Sequence, residues 1–291
     1  MKPAFKRSIL VLGCGALGGA LINRLEPCAH LTVVDPFPRV SIKQHIYPNL
    51  ESLNERSFDG LIVATKCYDV IQALKGLKNR IFIPRVLLLQ NGVLNRSPNS
   101  RLLPQAEIVR GVTISAFGVS SRRSIVHFEG VFYLAPEDGH GNGAVTWFGR
   151  LFSEAGLKVS LVKDPLRIIW AKLIFSAVMN PLPVITGQGY EVLRKDQEVW
   201  QLVRRAVGEG RGVARALGVR LAFDPLDLIL RVREGDLTGI QHKGSIYQDV
   251  VTSRSTELDY ITGALVRLAR HQGIKTPALN QILSRARAAG A

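Results

Sequence analysis

Three polar side chains interrupt one of the most apolar stretches of the chain, "IIWAKLIFSAVMNPLPV" at residues 168–184. Lys172, Ser176 and Asn180 recur every fourth residue, so on a helix they share one face, while Trp170, Leu173, Ile174 and Val178 supply apolar faces. Pro181 disrupts the helix just past Asn180, which leaves that amide near a helix end. A lysine set among bulky apolar residues either extends its ammonium to water or is held there for chemistry. Burial disfavours the charged form and lowers a lysine's pKa, which suits it to proton transfer. The pattern by itself leaves both options open, since most lysines are solvated.

A second constellation lies near the N-terminus, in "ILVLGCGALGGALINRL" at residues 9–25. Gly13, Cys14, Gly15, Ala16, Leu17 and Gly18 form a GxGxxG that follows a predicted strand and opens a predicted helix, the context in which this pattern binds a dinucleotide. Gly13 permits the tight turn, Gly15 lets backbone amides approach a pyrophosphate, and Gly18 lets the helix pack close to the strand. The anion then sits at the positive end of the helix. Asp35 ends the next predicted strand; a carboxylate there would hydrogen-bond a ribose 2′-hydroxyl and repel a 2′-phosphate, favouring NAD over NADP. Arg39 would instead pair with that phosphate, and Asp35 equally fits a turn role in "DPFP". The basic start and "VLGC" ending at Cys14 also have the outline of an export signal. Cleavage there would remove the strand that the next fifty residues complete into a βαβ unit, so the dinucleotide reading is preferred.

These residues need elements to hold them. "ILVL" (9–12), "LTVVD" (31–35), "GLIVAT" (60–65) and "RVLLLQ" (85–90) read as short buried parallel strands, with helical spacing at 16–27 and 68–79 between them. That alternation implies a doubly wound α/β sheet. "IVRGVTISAFGV" and "SIVHFEGVFYLA" read as later, more antiparallel strands, followed by an amphipathic helix at 144–156 and "KVSLV". Beyond Asp164-Pro165 the chain reads almost entirely as helix, at 166–180, 191–217, 224–234, 245–252 and 256–272. The expected organisation is a Rossmann-type dinucleotide-binding domain over 1–164 and an all-α domain over 165–291.

Bulk composition narrows the function classes. The formal net charge is +15, but it is shared almost equally between the two halves of the chain, with no run beyond "SRRS" at 121–124. A nucleic-acid binder concentrates such charge in a patch or stripe, so no nucleic-acid partner is expected. Three cysteines without a CxxC pair and six scattered histidines give neither a disulfide framework nor a metal site, and a reducing cytoplasm fits. His127 in "IVHFEG" reads as a strand histidine. No apolar run after the first reaches the roughly 18 residues that span a bilayer, so no membrane partner is expected.

The motif W-x-K-L-x(6)-N-P-L around Lys172 and Asn180 resembles the ketopantoate reductase (2-dehydropantoate 2-reductase) family. Further pieces agree in order: the GxGxxG, "ATKCYDV" around Lys66, "LLLQNGV" with Asn91-Gly92, "RGVTISA", "GSIYQDV" with Ser245, "STELDYITGALVRLAR" with Glu257, and "HQGIKTP". The resemblance implies a Rossmann domain followed by a helical domain like that of 6-phosphogluconate dehydrogenase. It also implies reduction of 2-dehydropantoate to (R)-pantoate by NAD(P)H, in pantothenate and coenzyme A synthesis, NADP(H) being the family cofactor and NAD(H) an option because of Asp35. By motif position Lys172 is the proton donor, and Glu257 orients it and touches the cofactor. Asn180 and Ser245 contact substrate oxygens, and Ser176 faces the substrate. Lys66, Asn91 and Ala116 lie near the cofactor, Asn91 also reaching the substrate. The partners implied are a small 2-oxo acid and, as an open option, a second copy of the chain.

Local chemistry touches parts of this. Ser245-x-x-Gln248 has a capping-box pattern, and Thr256-x-x-Asp259 resembles one that would put Glu257 in a first helical turn, where its charge is favoured. Two positions depart from the family, which carries asparagine where this chain has Ser176 and again where it has Tyr190. A serine offers one donor where an asparagine offers two and an acceptor, so the site would be roomier or suited to another 2-oxo acid. A related β-hydroxyacid or opine-type dehydrogenase and a non-catalytic NAD(P)-sensing protein are the competing readings.

Overall fold

The strand that feeds the glycine turn, β1 (Arg7–Leu12), has its last four residues fully buried, because it lies between two neighbours in a parallel sheet with cover on both faces. The computed structural model describes residues 6–92, 102–137, 143–236 and 243–291. The chain divides into two units: residues 1–90 with 94–165, and residues 91–93 with 166–291.

In the first unit, β1 is followed by α1 (Ala16–Leu25), β2 (Ala29–Val34), β3 (Ile46–Tyr47), β4 (Gly60–Val63), α2 (Val70–Leu77), β5 (Arg85–Leu88) and β6 (Glu107–Thr113). The hairpin β7 (Ala116–Ser120) and β8 (Arg123–Phe128), then β9 (Phe132–Pro136), α3 (Gly143–Glu154) and β10 (Val159–Leu161) complete it. The sheet order β3-β2-β1-β4-β5-β6 is all parallel and reverses direction at β1/β4, the place where ligands bind beyond the carboxyl ends of such strands. Only β9 runs antiparallel, against β6, and β10 then pairs parallel with it. The run expected as one antiparallel piece therefore splits in two. Ser115 makes the break: its N–H donates to Thr113 Oγ1 at 3.0 Å, and its own hydroxyl accepts from Gly130 N at 3.0 Å. Past that turn, β7 leaves the sheet to pair only with β8. Apolar clusters fill both faces, Ile9, Val11 and Ile62 on one and Leu10, Leu61 and Val63 on the other.

The second unit is built around α4 (Leu166–Met179), which buries nine of its residues. Then come α5 (Leu182–Thr186), α6 (Val192–Lys195), α7 (Gln197–Ala216), α8 (Pro225–Glu234), α9 (Gly244–Val251), α10 (Leu258–His271) and α11 (Pro277–Ala288). Helices α10, α7 and α8 pack around α4. The helix expected at 191–217 is two, because Asp196 turns extended and its carboxylate accepts from the N–H groups of Glu198 and Val199, starting α7 afresh. Helix α11 was not expected. Its exposed first amides, Ala278 N and Leu279 N, are held by Glu209 of α7 at 2.8 and 2.9 Å, a tertiary cap with no local signature. Contrary to the sequence reading, Leu166–Thr186 is long and apolar enough by composition to cross a membrane, with hydropathy 1.7; 67% of it is buried inside the protein.

The glycines after β1 separate into two kinds. A Cβ on Gly18 would stand 2.0 Å from the carbonyl oxygen of Gly13, whereas one on Gly15 meets nothing within 4 Å. Gly18→Ala should therefore destabilise the protein by about 2–3 kcal/mol, the usual cost of overpacking. Gly15→Ala should leave the thermal midpoint within a degree or two, and equilibrium unfolding of the two variants checks the contrast.

Candidate active site

In the helical unit, Lys172 is half-buried on α4, and burial pushes its ammonium down from 10.5 to about 8. The opposing charge of Glu257 pulls the other way and recovers part of that loss. Glu257 is itself only 5% exposed and occupies the N-cap position of α10, one residue earlier than expected. Its charge still lies at the favourable end of the helix. The cap pattern expected there does not form: Asp259 pairs instead with Arg287 at 2.6 Å. A buried bond from Thr262 Oγ1 to the carbonyl of Ala177, 2.8 Å, fastens α10 to α4 and so fixes the Lys172–Glu257 approach.

The rest of the predicted face is present in this unit. Ser176 is buried at 5% exposure, and its carbonyl accepts from Asn180 N at 3.1 Å, carrying the helical bonding one residue past α4 before Pro181. Ser245 is not a cap. Lys243 holds the N-cap position of α9 without a side-chain bond, and Ser245 stands inside the first turn. Gly244, just before it, has φ +68; a Cβ there would lie 2.9 Å from Tyr190 Oη and 4.0 Å from Asn180 Cα. The Tyr190 hydroxyl and the backbone of Asn180 thus both lie close to Gly244 at the start of α9. Tyr190 is buried, which pushes its phenol well above the usual range. Asn91 and Gly92 belong to the same unit: Gly92 has φ +90, and a Cβ on it would stand 2.9 Å from the carbonyl of Tyr260, in the first turn of α10.

In the first unit the glycine turn is a backbone structure. Gly13 takes φ +101 against the Ala64 backbone, and its N–H donates to Val34 O at 3.0 Å. Cys14 contributes main chain only, since its side chain is fully buried with Sγ against Val40 O at 3.4 Å; burial and then Asp35 push its thiol up to about 11. Asp35 does the turn chemistry: one carboxylate oxygen accepts Cys14 N at 2.6 Å and the other accepts Phe37 N at 2.7 Å. Carboxylate oxygens keep further lone pairs, so a ribose hydroxyl still finds an acceptor there. Helix α1 has no side-chain cap and no acid in its first turn, and Gly15 beside it faces open space. The amides of Ala16, Leu17 and Gly18 are therefore a cradle suited to a pyrophosphate. Lys66 follows β4, Gln90 ties the end of β5 to β4 through Val63 O at 2.8 Å, and Ala116 opens β7.

Two residues at this edge went unread in the sequence. Phe37 stands 85% exposed beside Asp35, and Arg122, noticed only as part of a charge run, is bonded to Ser41 from the hairpin tip. No local signal marks either one, because only the fold brings the hairpin to the loop after β2.

The shift of Lys172 has a measurable sign. Its folded pKa lies below the unfolded value, so from pH 8 to 10.5 the unfolded chain binds more protons and stability rises with pH. Relative to Lys172→Met, the wild type should gain on the order of 3 kcal/mol across that window. A constant offset from leaving Glu257 unpaired does not affect this slope. Denaturant titrations of both proteins at pH 7.5, 9 and 10.5 check it, and parallel stability curves would show that the lysine is not held out of water.

The ketopantoate reductase PanE/ApbA family model matches residues 9–136, and the ketopantoate reductase PanE/ApbA C-terminal model matches residues 164–289. The 2-dehydropantoate 2-reductase of Archaeoglobus fulgidus is 26% identical over 283 residues, covering 91% of this chain and 92% of that protein. That of Escherichia coli O157:H7 is 28% identical over 286 residues, covering 92% and 90%. Among solved structures, the ternary structure of D-mandelate dehydrogenase with NADH and anilino(oxo)acetate has a TM-score of 0.84 at 24% identity, covering 97% of this chain and 98% of that one. A PanE/ApbA family ketopantoate reductase from Ralstonia eutropha JMP134 has a TM-score of 0.80, also at 24% identity and with the same coverage. At those identities the structures establish the shared fold, a parallel α/β unit followed by a helical one. With both family models matched across most of its length, the chain belongs to the ketopantoate reductase family.

Proposed function

We propose that this protein is a cytoplasmic NAD(P)H-dependent reductase that converts 2-dehydropantoate to (R)-pantoate. The observation that carries the reading is the half-buried Lys172 with a pKa near 8 beside the buried Glu257. When bound, the reduced nicotinamide supplies a hydride to the carbonyl carbon of the 2-oxo acid. Lys172 hydrogen-bonds the carbonyl oxygen, stabilises the negative charge that develops on it, and delivers the proton. At neutral pH the lysine is mostly protonated and still acidic enough to give the proton up. Glu257 keeps the ammonium charged and oriented. Asn180 and Ser245 bind the carboxylate or hydroxyl oxygens, Asn91 positions substrate and nicotinamide together, and Gly13 to Gly18 hold the pyrophosphate.

A second reading keeps the reaction and changes the substrate. Ser176 is buried and shorter than the asparagine of the family, and Tyr190 brings its hydroxyl end to the start of α9. Both favour testing other 2-oxo acids, aromatic ones included.

Nicotinamide oxidation at 340 nm with ketopantoate and a panel of 2-oxo acids is the direct assay. Lys172→Ala should cost about 10²–10⁴-fold in kcat, the usual span for a lost general acid. Activity of the wild type should fall as pH rises through about 8. Because Glu257 raises the lysine's pKa, Glu257→Gln should move that alkaline limb to lower pH, which a merely structural glutamate would not do. Gly15→Ala should fold normally and lose dinucleotide affinity. Absence of turnover with every acid, despite dinucleotide binding, would overturn the enzyme reading.

A further inference from the structure

We propose that Pro181 and Thr262 act together as a positioning device for the proton donor. The proline deprives one carbonyl of α4 of its helical partner, the threonine of α10 meets that carbonyl, and the register so set holds Glu257 at Lys172. The effect on turnover rests on the reductase reading; the lock itself does not.

An α-helical carbonyl accepts from the N–H four residues on. For Ala177 that residue is Pro181, which has no N–H. The regular bonding runs only to the residue before, where Asn180 N donates to Ser176 O at 3.1 Å. Ala177 is fully buried, so solvent offers no donor, and a buried acceptor left unmet is costly. Thr262 supplies the donor from outside the helix. Its side chain is also fully buried, and its Oγ1 donates to Ala177 O at 2.8 Å. A threonine inside a helix can instead return its hydroxyl to a carbonyl of its own preceding turn. A hydroxyl has one proton, so the bond across to α4 excludes the local one.

The register follows from the spacing. Ala177 lies five residues past Lys172 on α4, and Thr262 lies five residues past Glu257, the N-cap of α10. Lys172 feels Glu257 and Ala177 meets Thr262, so the two helices advance in the same direction here, residue for residue. Five residues are about 7.5 Å of helix, a span over which helical curvature is slight. A slip of α10 by one residue would break the bond and carry Glu257 about 1.5 Å along α4. Helices α5, α7, α8, α10 and α11 pack on α4, and of the charged groups they carry Glu257 alone bears on the ammonium. The lock therefore acts on the one charge that keeps Lys172 protonated against its burial.

The test compares Thr262→Val, Thr262→Ser and the double variant Pro181→Ala/Thr262→Val, and it reads the lysine in two ways. One is the alkaline limb of the kcat profile. The other needs no turnover: each background is paired with Lys172→Met, and the pH at which their stability difference begins to rise marks the pKa of the folded lysine. Thr262→Val leaves Ala177 O unmet, so it should lower the thermal midpoint by a few degrees. It should also move both readouts down by roughly half a pH unit, a fraction of what an adjacent opposite charge is worth. Thr262→Ser keeps the hydroxyl and should match the wild type in both. The double variant returns a donor to Ala177 within α4, so it should recover the midpoint while both readouts stay low. A double variant whose lysine titrates as in the wild type would show that Thr262 contributes stability alone and overturn the proposal, as would a Thr262→Val lysine that titrates unchanged. Absence of turnover throughout, with the stability readout shifted as expected, would sink the reductase reading and leave the lock standing.

Discussion

An ammonium partly withdrawn from water is the constraint to which the helical unit is fitted. Helix α4 buries most of its circumference under α7, α8 and α10, so the one lysine in its middle loses hydration that no apolar neighbour replaces. Glu257 restores part of that loss, and it is also buried, so the two charges depend on each other. The start of α10 favours the carboxylate, and the Thr262–Ala177 bond holds the two helices in register. A lysine fully solvated would keep a pKa too high to release a proton readily, and one fully buried without an anion would lose its charge altogether. In the reaction proposed above, the balance near pH 8 would let this residue bind an oxygen as a cation and still protonate it.

The first unit solves a different problem with backbone instead of side chains. Its glycine turn needs Gly13 in a left-handed conformation and Gly18 without a Cβ, and both demands come from the protein's own packing. A Cβ on Gly15 would meet nothing in the protein, and under the dinucleotide reading that space is kept for a ligand. Cys14, between them, is a core residue whose main chain happens to run through the turn. Asp35 holds the turn from below through Cys14 N and starts the next loop through Phe37 N, so one carboxylate orders both walls of the cradle.

What was legible in the sequence follows the range of the forces involved. The glycine turn, the buried strands and the face shared by Lys172, Ser176 and Asn180 depend on local geometry and periodicity, and they stand where the spacing put them. Features set by distant partners were not legible. Helix α11 begins where Glu209 caps it across about seventy residues, and the break in the expected 191–217 helix rests on one aspartate preferring to cap. Capping patterns misplaced Ser245 by two residues and Glu257 by one, because a serine or threonine followed three later by a polar residue is common in any helical chain. Lys172 was legible as a candidate and the family resemblance set Glu257 beside it, while its burial needed the packing of α10. Arg122 belongs to the same class, a residue whose neighbours lie some eighty positions back.

The departures from the family at Ser176 and Tyr190 gain meaning from Gly244. With φ +68 and a Cβ position only 2.9 Å from Tyr190 Oη, residue 244 must be a glycine as long as 190 is a tyrosine, for reasons of both conformation and space. The two positions therefore act as one choice, and that choice places the Tyr190 hydroxyl against the first turn of α9, which carries Ser245. On α4, one turn before Asn180, Ser176 withdraws bulk. Volume has been added at one end of the polar face and removed from its middle, while Lys172 and Glu257 at the other end keep their pairing. In the proposed reaction such a change would leave the lysine–glutamate pair in place and act on the shape of the surface beside it.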